Sequence, residues 1–328
     1  MNTANKPIQE IIPGLFLGSC SAGFSLPLLE EHGISHIVAL GDFEPLHQHI
    51  TYKNIRVLDL IEENIIQYFP ETYEFIKDAL ASKGRVLVHC QAGVSRSPTI
   101  VAAYMMREKQ LSAQQALDII KLRRAIIEPN RGFLEQLNLY HELRYNVDQT
   151  EAAYRRFLVA ANARAQQEYG CIQNLALSPD PELAVGKTKS KLILRCKKCR
   201  RVLVDDDCIL DHQPGPGQQA FSYTKRSAEL NVTAAPTAAA AAPSRPLNPL
   251  LASIAASNNQ CSSYFIEPME WIASLQDGLV EGRIDCPKCY SKLGQYNWAG
   301  AQCSCGRWIT PAFMLHRKQV DQVKTTAQ

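Results

Sequence analysis

The sequence predicts an α/β layer fold in its first half and a small metal-stabilised domain in its second. Two observations carry this. Short apolar runs alternate with stretches of helical spacing up to about residue 145, and close cysteine pairs gather after residue 190.

The elements follow in order. Ile11-Ile12-Pro13-Gly14-Leu15-Phe16-Leu17-Gly18 reads as strand, turn and strand. Residues 27–33 suit a helix stopped by Gly33, which leads into the apolar strand His36–Leu40. Residues 55–59 predict a short strand, Phe69–Ala81 a helix with Gly84 beyond it, and 86–88 a buried strand. A helix opens at Ser97-Pro98, with proline in its first turn, and runs to about Lys109. Two more are expected near 112–124 and 132–146, and another at 151–169. The organisation predicted is therefore a first domain at 1–150, a helical connector and linker at 151–190, and a metal domain at 191–328. A Pro/Ala-rich tract at about 213–260 interrupts the last and is expected to be a disordered insertion, because its composition cannot bury a core.

With 328 residues and 46% hydrophobic content the chain can bury two cores. It has no run of about 18 apolar residues, so no membrane partner is expected. MNTANKPIQEIIPG lacks the basic-then-apolar layout of a secretion signal. Cytoplasm and nucleus are the expected locations, and in such reducing surroundings eleven cysteines point to metal or catalysis before disulfides. Residues 1–185 carry 17 Lys+Arg and 21 Asp+Glu, a balance of −4, while 186–328 carry 18 and 11, a balance of +7. The basic half suits a polyanion such as RNA, although metal-bound thiolates would cancel part of it.

The decisive stretch is Val88-His89-Cys90-Gln91-Ala92-Gly93-Val94-Ser95-Arg96-Ser97-Pro98. Five residues separate cysteine from arginine, between a strand and a helix, so successive N–H groups can converge on one anion at a helix N-terminus. Gly93 allows the tight path, and Arg96 can grip two phosphate oxygens with its planar fork. The same positive surroundings favour the thiolate of Cys90, the attacking form. Ser97 is placed to donate to that sulfur as it leaves phosphorus. A lone cysteine at a strand end is usually a core residue; the neighbours His89, Gly93, Arg96 and Ser97 argue for catalysis here. A leaving oxygen also needs a proton, and Asp59, Glu62, Glu63 and Asp42 are candidate acids.

These residues resemble the dual-specificity branch of the protein tyrosine phosphatase superfamily. Supporting matches are 13–19, PGLFLGS, and Pro129-Asn130-Arg131-Gly132-Phe133 with Gln136-Leu137. The resemblance implies a central sheet flanked by helices and metal-free hydrolysis of phosphate monoesters through a phosphocysteine. It further implies Asp59, 31 residues before Cys90, as general acid, and Asn130 as a support of the phosphate loop. Catalytic residues are then Cys90, Arg96, Asp59 and Ser97, with Gln91, Ala92, Gly93, Val94, Ser95 and Arg96 around the phosphate. Gln91, Ala92 and Val94 are uncharged, which favours a phosphoprotein over inositol lipids or RNA ends, and a compact domain suits phosphotyrosine, phosphoserine and phosphothreonine.

Cys286-Pro287-Lys288-Cys289 and Cys303-Ser304-Cys305 are knuckles of zinc spacing, as is Cys196-Lys197-Lys198-Cys199. The spacing predicts two structural zinc ions: one on Cys196, Cys199, His212 and Cys261, the other on Cys286, Cys289, Cys303 and Cys305. His316 or Cys208 could replace a ligand, and interleaved pairing stays open. Cys20 and Cys171 read as packing residues. Tyr264, Phe265, Trp271, Trp298, Trp308 and Phe313 are expected to fill the small core.

Both halves together resemble a zinc-binding dual-specificity phosphatase family found from yeast to animals. That likeness rests on 210–212, 261–268 and 309–313 beside the knuckles; Cys208 departs from it. It implies a role in maturation of the large ribosomal subunit, with the zinc domain contacting a pre-60S particle. The alternative is a signalling phosphatase whose zinc domain only directs it to substrates.

Overall fold

The computed structural model describes residues 6–170, 175–183, 192–215, 261–275 and 277–324. Most of the predicted insertion, and Cys171, lie outside the described residues. The chain divides into two compact units, Met1–Tyr154 and Arg155–Gln328.

In the first unit the elements are β1 (Ile8–Ile12), β2 (Leu15–Ser19), α1 (Cys20–Phe24), α2 (Leu26–Glu31), β3 (His36–Leu40), β4 (Thr51–Ile55), α3 (Phe69–Ala81), β5 (Val86–Cys90), α4 (Arg96–Lys109), α5 (Ala113–Arg123) and α6 (Arg131–Glu142). The sheet order is β1-β2-β5-β3-β4. All neighbours are parallel except the β1–β2 hairpin, whose turn uses Gly14 at φ +82°. Central β5 is buried along its whole length, which is why 86–90 reads as a continuous apolar run instead of an alternation. It ends at Cys90, and α4 begins six residues later, so the phosphate-loop sequence spans a strand end and a helix start at the middle of the sheet.

Two first-unit elements differ from expectation. The strand predicted at 55–59 lies at Thr51–Ile55, in register with His36–Leu40. It is an edge strand with mostly exposed or half-buried residues, so its polar Thr51, Lys53 and Asn54 hid the pattern. The helix predicted at 132–146 stops at Glu142, because Arg144 and Tyr145 take positive φ. Tyr145 thereby packs its ring on Tyr140 at 5.5 Å and donates to the Leu111 carbonyl at 3.1 Å.

The second unit holds α7 (Ala152–Tyr169) from Arg155 onward, β6 (Leu192–Cys196), β7 (Val202–Asp205), β8 (Ile209–Leu210), β9 (Ser263–Ile266), β10 (Glu281–Asp285), β11 (Lys292–Asn297), β12 (Ala301–Gln302), β13 (Trp308–Ile309), β14 (Ala312–His316) and β15 (Val320–Lys324). They form sheets β10-β11-β14-β9-β8, β15-β6-β7 and β12-β13. The helix expected as a connector is built into this unit: Val159 and Ala163 join its core. Arg155 and Arg156 both donate to buried Glu267, at 3.0 and 2.9 Å, and Ser178 Oγ completes that carboxylate. Phe265, Trp271, Trp298 and Phe313 are buried as expected, whereas Trp308 is 59% exposed and Tyr264 only partly covered. No helix among the described residues is long and apolar enough to cross a membrane.

Candidate active site and metal centres

Cys90 closes β5 with its side chain buried. Two donors meet its sulfur: Ser97 Oγ at 3.2 Å and the Gly93 amide at 3.3 Å. Gly93 has φ +69°, and a Cβ there would come within 2.6 Å of the Gly18 carbonyl oxygen, so no other residue fits without displacing the loop. Arg96 opens α4 and anchors its fork by donating Nη1 to the Val57 carbonyl at 3.1 Å, with Nε 3.7 Å from Asp59 Oδ2.

Among the candidate acids, Asp59 is hydrogen-bonded to the phosphate loop. Its Oδ1 accepts from Ser95 Oγ at 2.7 Å and from Asn130 Nδ2 at 2.8 Å. Asn130 also caps α6 by accepting from the Phe133 amide, and its own amide donates to Ser95 Oγ. Glu63, a rival, is pushed up from the usual carboxylate range by burial, against a hydrogen bond from the Leu58 backbone and the charge of Arg96. Asp42 pairs with exposed Arg56. His89, beside the cysteine, is wedged between Phe24 and Phe43; burial lowers its pKa to about 4, a backbone hydrogen bond at Cys90 pulling the other way. It is neutral at pH 7.

Sequence reasoning missed Arg124, a buried cation reaching the back of the loop. In the sequence it looked like the last residue of a helix with a basic end, which ordinarily faces water.

The second unit gathers the eight predicted ligands into two groups whose donor atoms lie within 4.8 Å of one another. The grouping differs from the expected one. Cys196 and Cys199 join Cys286 and Cys289, while His212 and Cys261 join Cys303 and Cys305. The reason lies in hairpin geometry. The β6–β7 and β10–β11 hairpin tips carry matching knuckles: Cys196 N–H donates to the Arg201 carbonyl and Cys286 N–H to that of Ser291, with Arg200 and Tyr290 at positive φ. These two tips face each other. The pairing of β8 with β9 brings His212 beside Cys261, opposite the third knuckle in the β12–β13 turn. Cys208 and His316 lie outside both groups: Cys208 is buried near Glu267, and His316 meets Ser263 Oγ at 3.2 Å.

Both groups fit a tetrahedral ion. Sulfur separations of 3.7 and 3.5 Å in the first match the ~3.8 Å edge set by metal–sulfur bonds of about 2.3 Å. In the second, His212 Nε2 lies 3.2 Å from Cys261 Sγ and 3.3 Å from Cys305 Sγ. Burial pushes Cys286 and Cys261 up to about 12, the crowding of neighbouring sulfurs adding to it; a divalent cation among them would reverse this. The ten described cysteines are all free of disulfides.

A strand-end cysteine, a glycine-bearing loop and an arginine-led helix on a mostly parallel sheet define the class of cysteine-dependent phosphatases. The family model "Dual specificity phosphatase, catalytic domain" matches residues 15–143. The human protein named dual specificity protein phosphatase 12 is 34% identical over 324 residues, covering 96% of this chain and 88% of its own. Tyrosine-protein phosphatase yvh1 of Schizosaccharomyces pombe is 33% identical over 327 residues, covering 97% and 85%. The crystal structure of the Yvh1 phosphatase domain from Chaetomium thermophilum is 28% identical and covers 43% of this chain and 99% of that one, with a TM-score of 0.41. The chain belongs to the dual specificity phosphatase family of these full-length relatives, and it is such an enzyme.

Proposed function

We propose that the first unit hydrolyses phosphotyrosine and phosphoserine or phosphothreonine of proteins through a phosphocysteine. The Cys90 thiolate attacks phosphorus, the bond from phosphorus to the leaving oxygen breaks, and Asp59 gives that oxygen a proton. Water then attacks phosphorus and returns a proton to Asp59. The phosphorus–sulfur bond breaks, and the electron pair stays on sulfur, where Ser97 Oγ donates to it. Amides of Gln91, Ala92, Gly93, Val94 and Ser95, with the fork of Arg96, hold the remaining oxygens. The observation that carries this reading is the pair of donors 3.2 and 3.3 Å from one buried sulfur, with Arg96 and Asp59 beside it. In the test, Cys90→Ser abolishes phosphate release from phosphopeptides. Asp59→Asn slows alkyl phosphates by about 10²–10⁴-fold and spares esters with good leaving groups. Alkyl phosphate turnover undisturbed by Asp59→Asn would remove Asp59 from the mechanism.

Zinc is our reading for both clusters, supported by four thiols in one and three thiols with an imidazole in the other, their donor atoms within 4.8 Å of one another. Four protein ligands leave no open position, so the ions are structural and take no part in the chemistry. Metal analysis of purified protein should return two zinc equivalents.

A second role, in large ribosomal subunit assembly in the nucleus and cytoplasm, is supported by the resemblance spanning both halves and by the +7 balance of residues 186–328. Full-length Cys90→Ser should then co-sediment with pre-60S particles from cell extract, and Cys286→Ser should not. If neither the unsubstituted chain nor Cys90→Ser co-sediments, the signalling alternative stands instead.

A further inference from the structure

The inside of the phosphate loop presents N–H groups because its outside is held. Four successive carbonyls, those of Gln91, Ala92, Gly93 and Val94, turn away from Cys90 onto donors behind the loop. The Cys20 amide meets Gln91 at 3.2 Å and the Glu128 amide meets Val94 at 2.8 Å. The central two are held by one side chain: Arg124 donates Nη2 to Ala92 at 3.1 Å and Nε to Gly93 at 2.9 Å. A peptide plane fixed by its carbonyl points its N–H the opposite way. Those two carbonyls therefore fix the amides of Gly93 and Val94, one of which already meets the Cys90 sulfur.

We propose that Arg124 is a positioning residue for catalysis: from behind the loop its guanidinium turns two peptide planes so that their amides converge on the phosphoryl group. This rests on the reading of Cys90 as nucleophile. Three features make the residue more than a packed cation. It is 2% exposed. Its remaining Nη1 is spent on the Lys6 carbonyl and on Gln9 Oε1, so the whole fork is fixed. Among the described residues no carboxylate pairs with it, so its charge is left to act on the anion site. Burial pushes the guanidinium down from its ordinary range, and the pull of Cys90 opposes that. The fit is close on both sides: a Cβ on Gly93 would come within 2.7 Å of Arg124 Nη2.

The test compares Arg124→Lys, which keeps the charge and loses the two-carbonyl fork, with Arg124→Met, which loses both. Tungstate affinity is measured by calorimetry on the full chain carrying Cys90→Ser, so that anion binding is read without chemistry; kcat/KM is measured with Cys90 intact. Arg124→Lys should weaken tungstate binding about tenfold and lower kcat/KM about 10²-fold. Arg124→Met should add a slower alkylation of Cys90 by iodoacetamide at pH 6. If Arg124→Met does not fold, Arg124→Lys decides. A lysine variant with a lowered melting temperature but unchanged tungstate affinity and kcat/KM overturns the proposal and leaves Arg124 a structural residue. That outcome is distinct from failure of the nucleophile reading, which would show as activity surviving in Cys90→Ser.

Discussion

The two units place their functional side chains by opposite means. In the first, a five-stranded sheet with a continuous apolar interior exists before any site does, and Cys90, Ser97 and Arg96 sit where a buried strand meets a helix. In the second, short strands and hairpin tips surround two groups of side chains that could hold metal ions, and four of their members, Cys196, Cys286, Cys303 and Cys305, are themselves buried. One unit carries its chemistry on a core; the other has its donor atoms as part of the core. Removing a site residue should therefore leave the first unit folded and should dissolve part of the second.

The largest expected effect is metal removal. A structural zinc contributes about 10–16 kcal/mol in small domains, as much as the whole stability of an ordinary one at about 5–15 kcal/mol. A strong chelator should unfold the second unit while turnover of a small aryl phosphate by the first persists, and near-ultraviolet dichroism beside an activity assay reads both. The ligand grouping has its own test. Cys196→Ser combined with Cys286→Ser removes two ligands from one cluster, so one metal equivalent should remain. Under the grouping expected from sequence order the pair would damage both sites, and none would.

Next comes Glu267, which accepts from Arg155, Arg156 and Ser178 while itself only 1% exposed. Breaking a buried ion pair from one side typically costs about 3–5 kcal/mol, because a charge is left without compensation. Glu267→Gln should lower the unfolding free energy of the second unit by that amount, read by chemical denaturation, and leave the first unit's transition in place.

These contrasts also explain what could be read in advance. The phosphate loop is local in sequence: Cys90, Gly93, Arg96 and Ser97 fall within eight residues, so spacing alone brings them together. Asp59 and Asn130 needed the family likeness, since 31 and 40 residues of chain separate them from Cys90. The eight candidate metal ligands were legible by type, because cysteine knuckles have a short period. Their partition was not, because it depends on which hairpin tips meet, a property of the sheets. Arg124 was illegible for a different reason. A basic residue at a helix end has a solvent-facing explanation ready, and only the four outward carbonyls of the loop show that this one faces inward. The edge strand at Thr51–Ile55 was misplaced because exposure on one side removes the apolar signal.

His89 tests the first unit's core by pH. Its pKa falls from 6.5 to about 4 on burial. Between those values the unfolded chain binds the proton and the native state does not, so stability rises with pH across the window. It is lost as pH falls from about 6.5 toward 4, and below that both states are protonated. The limit is about 3 kcal/mol. Chemical denaturation at a series of pH values should show this slope, and His89→Asn should flatten it between pH 4 and 6.5. A profile unchanged by the substitution would place the acid sensitivity in carboxylates instead.

The smallest effect separates local stability from the site. Ser112 caps α5 by accepting from the Gln115 amide at 3.3 Å, and Gln115 Oε1 returns the favour to the Ser112 amide at 2.9 Å. Ser112→Ala should cost about 1 kcal/mol of stability. Arg124 stands just past the opposite end of that helix, fixed by acceptors on the loop and on the chain at Lys6 and Gln9. A frayed first turn should not travel eleven residues against those bonds, so tungstate affinity in Ser112→Ala should match the unsubstituted chain. A loss of anion binding there would mean that α5 as a whole, more than the guanidinium alone, holds the phosphate loop in shape.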